Sequence, residues 1–284
     1  MHRLLARILA RILLATRTVD TAHRYFDKAR SRFVVRWASP RTLAEFNALA
    51  YESDQAYVPG ATQFRHHLFA WETATIRQFF PPAPARLLIG GAGGGREAFA
   101  LAERGYEIVA FEPAAGLAAG MADTASSGVG VRAFRARYET LPDLAPARAG
   151  EPGEDLHALA PFAGALMGWG SFSHLMSEES RVQALRSMAD VVDGPILVSF
   201  LAFRADDGAR GRGSDRAGDA FSVFIGYHHV STPSELARLA QASGLVVAHL
   251  ETDESESSWP HAILRRAPQP PESQDSLPDN HPPR

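Results

Sequence analysis

The chain predicts an α/β fold in which most strands run parallel, and three observations carry this. Short apolar runs alternate with stretches of helical periodicity from about residue 87 onward, the pattern of strands laid side by side through helical crossovers. The first run, Leu87-Leu88-Ile89, breaks into Gly90-Gly91-Ala92-Gly93-Gly94-Gly95 and then enters Arg96-Glu97-Ala98-Phe99-Ala100-Leu101-Ala102. That is a buried strand, a tight turn and a helix N-terminus. The last two runs, Leu245 to Leu250 and Ala262 to Leu264, have no helix between them, so they form an antiparallel pair and the sheet is mixed.

Taken in order, the elements before the glycine turn are helical. Met1 to Thr18 is basic and apolar, with no acid before Asp20. Leu4, Leu5, Ile8, Ile12 and Leu13 share one helical face, and Arg3, Arg7, Arg11 and Arg17 supply charge. Arginine interrupts the apolar region, which argues against a secretory signal. A transit peptide, a membrane-surface helix, and a helix packed on its own protein or on a second copy in a homodimer remain open for this segment. His23, Tyr25, Phe26, Phe33, Val34 and Trp37 form an aromatic-rich group. Ser39-Pro40 opens a further helix with Leu43, Phe46, Leu49 and Ala50 at helical spacing, and Phe64, Leu68, Trp71, Ile76 and Phe79 mark another, stopped by Pro81-Pro82. These aromatics either line a substrate pocket or, as aromatics at helical period ordinarily do, face a core.

After the turn, Ile108-Val109-Ala110-Phe111 is the second strand and ends on Glu112. Pro113 opens an alanine-rich helix, and Val129 to Phe134 is the third strand. Pro142 to Pro161, rich in Pro, Gly and Ala, reads as a surface loop. Phe162 to Met167 is the fourth strand, followed by a helix from about Ser177 to Val192. Ile196 to Leu201 is the fifth strand, and Arg204 to Asp219 is a polar, glycine-rich loop, too long for a compact domain unless functional or disordered. Thr232-Pro233-Ser234-Glu235 starts a helix with a threonine cap, a first-position proline and a capping-box glutamate. From Ala267 the tail is Pro-, Ser- and Asp-rich and is expected to be disordered. Three regions result: residues 1–80 as a helical cap, 81–266 as the sheet domain and 267–284 as the tail.

Composition narrows the function. A net charge of −3 gives no reason to expect nucleic-acid affinity. The absence of cysteine excludes disulfides, thiolate metal sites and a cysteine nucleophile, and fits a reducing, cytoplasmic setting. No apolar run reaches the length of a membrane span. The glycine turn and Glu112 carry the chemistry. Glycines let a ligand approach the backbone, the helix N-terminus presents free N–H groups, and a carboxylate at the end of the second strand can accept both hydroxyls of a ribose. A nicotinamide or flavin dinucleotide and an adenosyl cofactor both fit. In the frame from Gly91, Arg96 stands where a dinucleotide fingerprint wants a small residue, while the frame from Gly93 satisfies it.

From Phe64 to Arg266 the chain resembles the class I S-adenosylmethionine-dependent methyltransferases. The resemblance rests on Leu87 to Gly95, on Glu112, on Gly168 to Leu175 and on the Thr232 to Gly244 helix before the final strand pair. It implies a Rossmann-like, seven-stranded mixed sheet with an antiparallel last strand, and S-adenosyl-L-methionine as cofactor. It further implies that Gly91, Ala92, Gly93 and Gly95 shape the cofactor loop, that Glu112 and Pro113 meet the ribose, that Tyr138 and Glu139 flank the adenine, and that Gly168 and Trp169 lie along the cofactor. Two positions depart from the family: Ile89 and Arg137 stand where it often has acids. For transfer to a hydroxyl, a general base helps, and His174, His228 and His229 are the candidates, each placed near the ligand side of the sheet. No histidine group has metal-ligand spacing. The reading is methyl transfer to a small-molecule acceptor. The alternatives are a nicotinamide-dependent oxidoreductase and a non-catalytic nucleoside-binding module.

Overall fold

The structure is a computed structural model that describes residues 23, 25–54, 67–126, 128, 130–202, 218–222, 225–253 and 258–268. The expectations for residues 1–18, for most of the 204–219 loop and for the tail from 269 onward lie outside these.

Two helices come first, α1 over residues 25–37 and α2, Pro40–Ser53. Ser39 caps α2 by accepting from the Thr42 N–H at 3.1 Å, and Pro40 occupies the first turn, where its missing donor costs nothing. Helix α3, Ala70–Phe79, leads into β1, Arg86–Gly90. Then follow α4 (Arg96–Ala102), β2 (Glu107–Glu112), α5 (Ala115–Ala125) and β3 (Val131–Arg135). Two short strands, β4 (Asp143–Pro146) and β5 (Glu154–Asp155), precede the single turn α6 (Leu156–Leu159) and β6 (Gly164–Met167). Helix α7 (Glu178–Val191) and β7 (Ile196–Ser199) complete the central alternation. Strands β8 (Leu201–Ala202), β9 (Gly218–Ser222) and β10 (Gly226–Ser231) form a separate small sheet. Helix α8 (Pro233–Ala242), β11 (Leu245–Glu251) and β12 (His261–Arg266) end the described chain.

The main sheet runs β11-β12-β7-β6-β1-β2-β3-β4-β5. Strands β3, β2, β1, β6 and β7 are parallel, and β12 inserts antiparallel between β7 and β11. The seven-stranded mixed sheet expected from the sequence is therefore present, with two extra edge strands. These come from Pro142 to Pro161, expected as plain loop: β4 pairs antiparallel with β3, and β5 with β4. Leu144, Leu156 and Leu159 anchor this stretch in the core, so apolar residues spaced among prolines were enough to fold it.

Strand alternation divides the core in two. Leu88, Val109, Phe111, Ala165 and Met167 face one side, where α7 supplies Leu185 and Met188 and α8 supplies Leu236 and Leu239. Leu87, Ile89, Ile108, Ala110 and Leu166 face the other, against Trp71 and Ile76 of α3 and Phe99 and Leu101 of α4. Each of these large side chains contributes about 1.5–3 kcal/mol by leaving water. Helix α3 is thus part of the sheet's packing layer. It begins at Ala70, later than the periodicity from Phe64 predicts, and Glu72 accepts from the Phe69 N–H at 2.7 Å to close its first turn.

Two expectations about the first helices fail. In α2 the buried positions are Leu43 and Asn47, whereas Phe46 and Leu49 are exposed. In α1 the aromatics Tyr25, Phe26, Phe33 and Trp37 are all exposed. The reason is that α1 and α2 dock on the small sheet rather than on the main core: Ser31 Oγ accepts from Phe221 N–H of β9 at 2.8 Å, and the half-exposed Phe46 ring packs on Phe221 at 5.0 Å.

Candidate functional site

The carboxyl ends of β1, β2, β3 and β6 converge beneath α2 and enclose a cavity of ≈390 Å³. From the sheet side come Gly91, Gly93, Glu112, Pro113, Tyr138, Glu139, Trp169, Ser171 and His174; from α2 come Arg41, Ala44, Asn47, Ala48 and Tyr51. This is where the switch-point rule places a ligand in a sheet of this topology, since strand order reverses between β1 and β6.

The floor is the turn after β1. Gly91 has φ +62°, and a β-carbon there would lie 2.5 Å from Ser171 Cβ, so only glycine fits. Gly168 allows an equally close approach: its N–H donates to the Gly90 carbonyl at 2.7 Å, and a β-carbon would meet the Gly91 oxygen at 2.4 Å. Ala92 is buried and its N–H donates to the Phe111 carbonyl at 3.1 Å, while Gly95 caps α4. Ala92, Gly95 and Gly168 therefore shape the loop from outside the cavity, whereas Gly91 and Gly93 line it.

Glu112 is the charged group of the floor. It ends β2 and is buried. One carboxyl oxygen accepts from Gly93 N–H at 2.8 Å, the other from Ala114 N–H at 2.9 Å. Burial pushes its pKa up to about 7, against the lowering effect of those two N–H groups. A carboxylate offers about four acceptor positions. Two acceptor positions are left over.

The Tyr138 hydroxyl lies 2.9 Å from Ser171 Oγ, and its ring packs edge-on against Phe111 at 5.2 Å. Burial holds this phenol well above its ordinary pKa, so it is neutral. Arg137, at one of the two departing positions, reaches Glu45 of α2 at 3.4 Å. Behind the loop, Arg96 pairs bidentately with Glu72 at 2.6 and 2.7 Å and with Glu97 at 2.7 Å, all three buried. Glu97 also accepts from the Trp169 N–H at 3.3 Å. This cluster ties α3, the glycine turn and the strand-end loop of Trp169 together.

The three histidine candidates separate. His174 lies on the cavity wall with both ring nitrogens engaged: Nδ1 is 2.7 Å from the Tyr227 carbonyl, and Nε2 is 2.6 Å from the Tyr51 hydroxyl. Burial lowers its pKa to about 4, so the ring is neutral, Nδ1–H donates to Tyr227, and Nε2 accepts from Tyr51. His228 and His229 do not line the cavity. They sit within β10, a strand where the sequence reading saw only a segment before a helix. Strand alternation turns His229 with Tyr227 toward Asp219. His229 Nδ1 is 2.7 Å from Asp219 Oδ1, and its Nε2 is 2.9 Å from Glu235 Oε1. His228 Nδ1 is 3.1 Å from the Gly226 carbonyl, and burial lowers its pKa.

Asn47, Tyr51 and Ser171 were missed by the sequence reading. Asn47 Oδ1 accepts from Tyr227 N–H at 2.8 Å and its Nδ2 donates to the Tyr227 carbonyl at 3.0 Å. With Tyr51 on His174 and Glu52 accepting from Gly116 N–H at 2.9 Å, α2 is fastened across the cavity at three points. Pro40, Arg41, Ala44, Asn47, Ala48 and Tyr51 form a small-and-polar stripe at helical spacing. That stripe was the available signal.

The sequence matches no known protein-family profile and no curated protein. Solved structures do match. The CcbJ methyltransferase from Streptomyces caelestis aligns with TM-score 0.51 at 16% identity, over 69% of this chain and 88% of that one. The [4+2]-cyclase SpnF aligns with TM-score 0.51 at 18% identity, over 75% of this chain and 74% of that one. Identities this low speak to architecture alone. Together with the sheet order and the antiparallel β12, they establish that this chain has the fold of the class I S-adenosylmethionine-dependent methyltransferases.

Proposed function

We propose that this chain transfers a methyl group from S-adenosyl-L-methionine to a small-molecule acceptor at the carboxyl edge of the sheet. The observation that carries the reading is Glu112, buried at the end of β2 and lining a cavity beside the Gly91–Gly93 turn. The residues fit the cofactor. Glu112 has two acceptor positions for the ribose hydroxyls, Gly91 and Gly93 bring bare backbone to the cavity, and Pro113, Tyr138, Glu139 and Trp169 line the remaining wall. The cofactor supplies an activated methyl group, so the chain must chiefly orient an acceptor and exclude water.

Helix α2 supports both tasks. It covers the cavity and is held by Asn47, Tyr51 and Glu52. Where the acceptor is a hydroxyl, a route for its proton runs along the wall: to the Tyr51 oxygen as Tyr51 gives its own to Nε2 of His174. The His174 ring is neutral with Nε2 facing Tyr51, though burial, which lowers its pKa to about 4, makes it a weak base. Ala92, Gly95 and Gly168 hold the loop in shape. His228 and His229 have no place in this reading.

A second reading is a binding module without methyl transfer. Ile89 and Arg137, in place of acids, and the low basicity of His174 favour it, and SpnF illustrates that one fold serves chemistries of different kinds. The oxidoreductase reading is disfavoured by β12, which breaks the all-parallel order of a dinucleotide-binding sheet. Calorimetry of the full chain with S-adenosylhomocysteine and with NAD, followed by product assay with hydroxyl and amine acceptors, tests the proposal. Binding of NAD alone overturns it. Binding of S-adenosylhomocysteine without turnover on any acceptor favours the module.

A further inference from the structure

Helix α1 carries two stripes side by side on its outer surface. Phe26, Phe33 and Trp37, at i, i+7 and i+11, are 65%, 64% and 75% exposed, and Tyr25 beside them is 72% exposed. Lys28, Arg32 and Arg36, at i, i+4 and i+8, are exposed along the neighbouring stripe. Arg32 and Arg36 pair with no carboxylate among the described residues. The one acid of the helix, Asp27, is turned inward and paired with Arg30 at 2.9 Å. The opposite face docks on β9 through Ser31, with Val34 and Val35 half-buried. Four large aromatics left in water on one helix need an occupant.

Charge identifies the kind of occupant. Residues 1–37 hold nine basic and two acidic residues, a net of about +7, while the other 247 residues hold 20 basic and 30 acidic ones, about −10. We propose that α1 seats this protein on an anionic lipid surface, with Tyr25, Phe26, Phe33 and Trp37 entering the headgroup–acyl boundary and Lys28, Arg32 and Arg36 meeting lipid phosphates. Aromatic and cationic stripes on one helix suit that boundary, because the rings sit where apolar and polar layers meet and the cations are drawn to the negative leaflet. A second copy fits worse, since a two-fold contact through this face sets Lys28, Arg32 and Arg36 against their own equivalents. Residues 1–22 fit worse too, because they add Arg3, Arg7, Arg11 and Arg17 and only one acid, Asp20. The protein would lie on the surface rather than span it: among the described residues no helix is long and apolar enough to cross a membrane.

The test is co-sedimentation of the full chain with vesicles of phosphatidylcholine alone or mixed with phosphatidylglycerol. Partition onto the mixed vesicles, weakened by salt, is expected. Both R32Q/R36Q and F33S/W37S, changes at exposed positions that leave the core intact, should weaken it by about tenfold or more. Trp37 fluorescence should shift to the blue on vesicle binding, and the W37F protein should lose that component. Three results overturn the proposal: no partition onto anionic vesicles, partition undiminished in both double variants, or a dimer in solution that the same substitutions dissolve.

Discussion

Binding of an adenosyl ligand should be coupled to the ionisation of Glu112, and the coupling has a calculable size. In the free protein burial holds this carboxyl at about 7 instead of 4.5. The raised value means that the folded state binds the proton more tightly than the unfolded chain does. Stability from this group is therefore complete below about pH 4.5 and is lost as pH rises through about 7, a total of about 3 kcal/mol. Two ribose hydroxyls donating to the carboxylate favour the anion, which moves the pKa back down. If the bound carboxyl returns to its ordinary range, the Kd for S-adenosylhomocysteine falls about tenfold per pH unit between roughly pH 5 and 7 and levels off above, near 300-fold in all. Calorimetry in buffers of different ionisation enthalpy should register about one proton released per ligand near pH 6 and almost none near pH 8.5. In Glu112→Gln the slope disappears, and affinity at about pH 8 falls by about 1.5–3 kcal/mol because the hydroxyls lose a charged acceptor. A Kd that stays flat across this range in the wild-type protein, with no proton released, would refute the reasoning.

Other perturbations follow from the same geometry. Gly91→Ala forces a left-handed residue to carry a β-carbon 2.5 Å from Ser171, so it should cost upward of about 1 kcal/mol of stability and abolish ligand binding; thermal melts and calorimetry report both. Tyr51→Phe removes the hydrogen bond to His174, so kcat for a hydroxyl acceptor should drop by about 10²-fold while ligand affinity changes little; an unchanged kcat removes Tyr51 from the proton route. Arg96→Met leaves Glu72 and Glu97 buried without their cation and should cost about 3–5 kcal/mol in a denaturant titration, a loss that Glu72→Gln should not match.

What the sequence discloses depends on how far apart the interacting residues lie. The strand, glycine turn, helix and Glu112 span fewer than 30 residues, and local rules find them: Glu112 meets Gly93 only 19 positions away. The capping signal of α8 is equally local, with Thr232 Oγ1 accepting from Glu235 N–H at 3.1 Å. The roof of the cavity is different. Asn47 meets Tyr227 across 180 positions and Tyr51 meets His174 across 123, so no window of sequence contains the pair. Periodicity then misassigned α2, because it weighs apolar residues as buried. Asn47 is buried by satisfying a backbone N–H and a carbonyl of β10, whereas Leu49 is left 60% exposed. The histidines of β10 show the same limit. Their neighbourhood to a helix start suggested a pocket mouth, but their partners, Asp219 and Glu235, are set by a strand pairing that the glycine-rich run before it concealed.

The most direct test of the whole account is a crystal structure of the full chain grown with S-adenosylhomocysteine. The account predicts the ligand in the cavity between the glycine turn and α2, both ribose hydroxyls within hydrogen-bond reach of Glu112, and the sulfur turned toward the Tyr51–His174 wall. Saturating ligand that binds elsewhere, or that leaves Glu112 without a ribose contact, would contradict it.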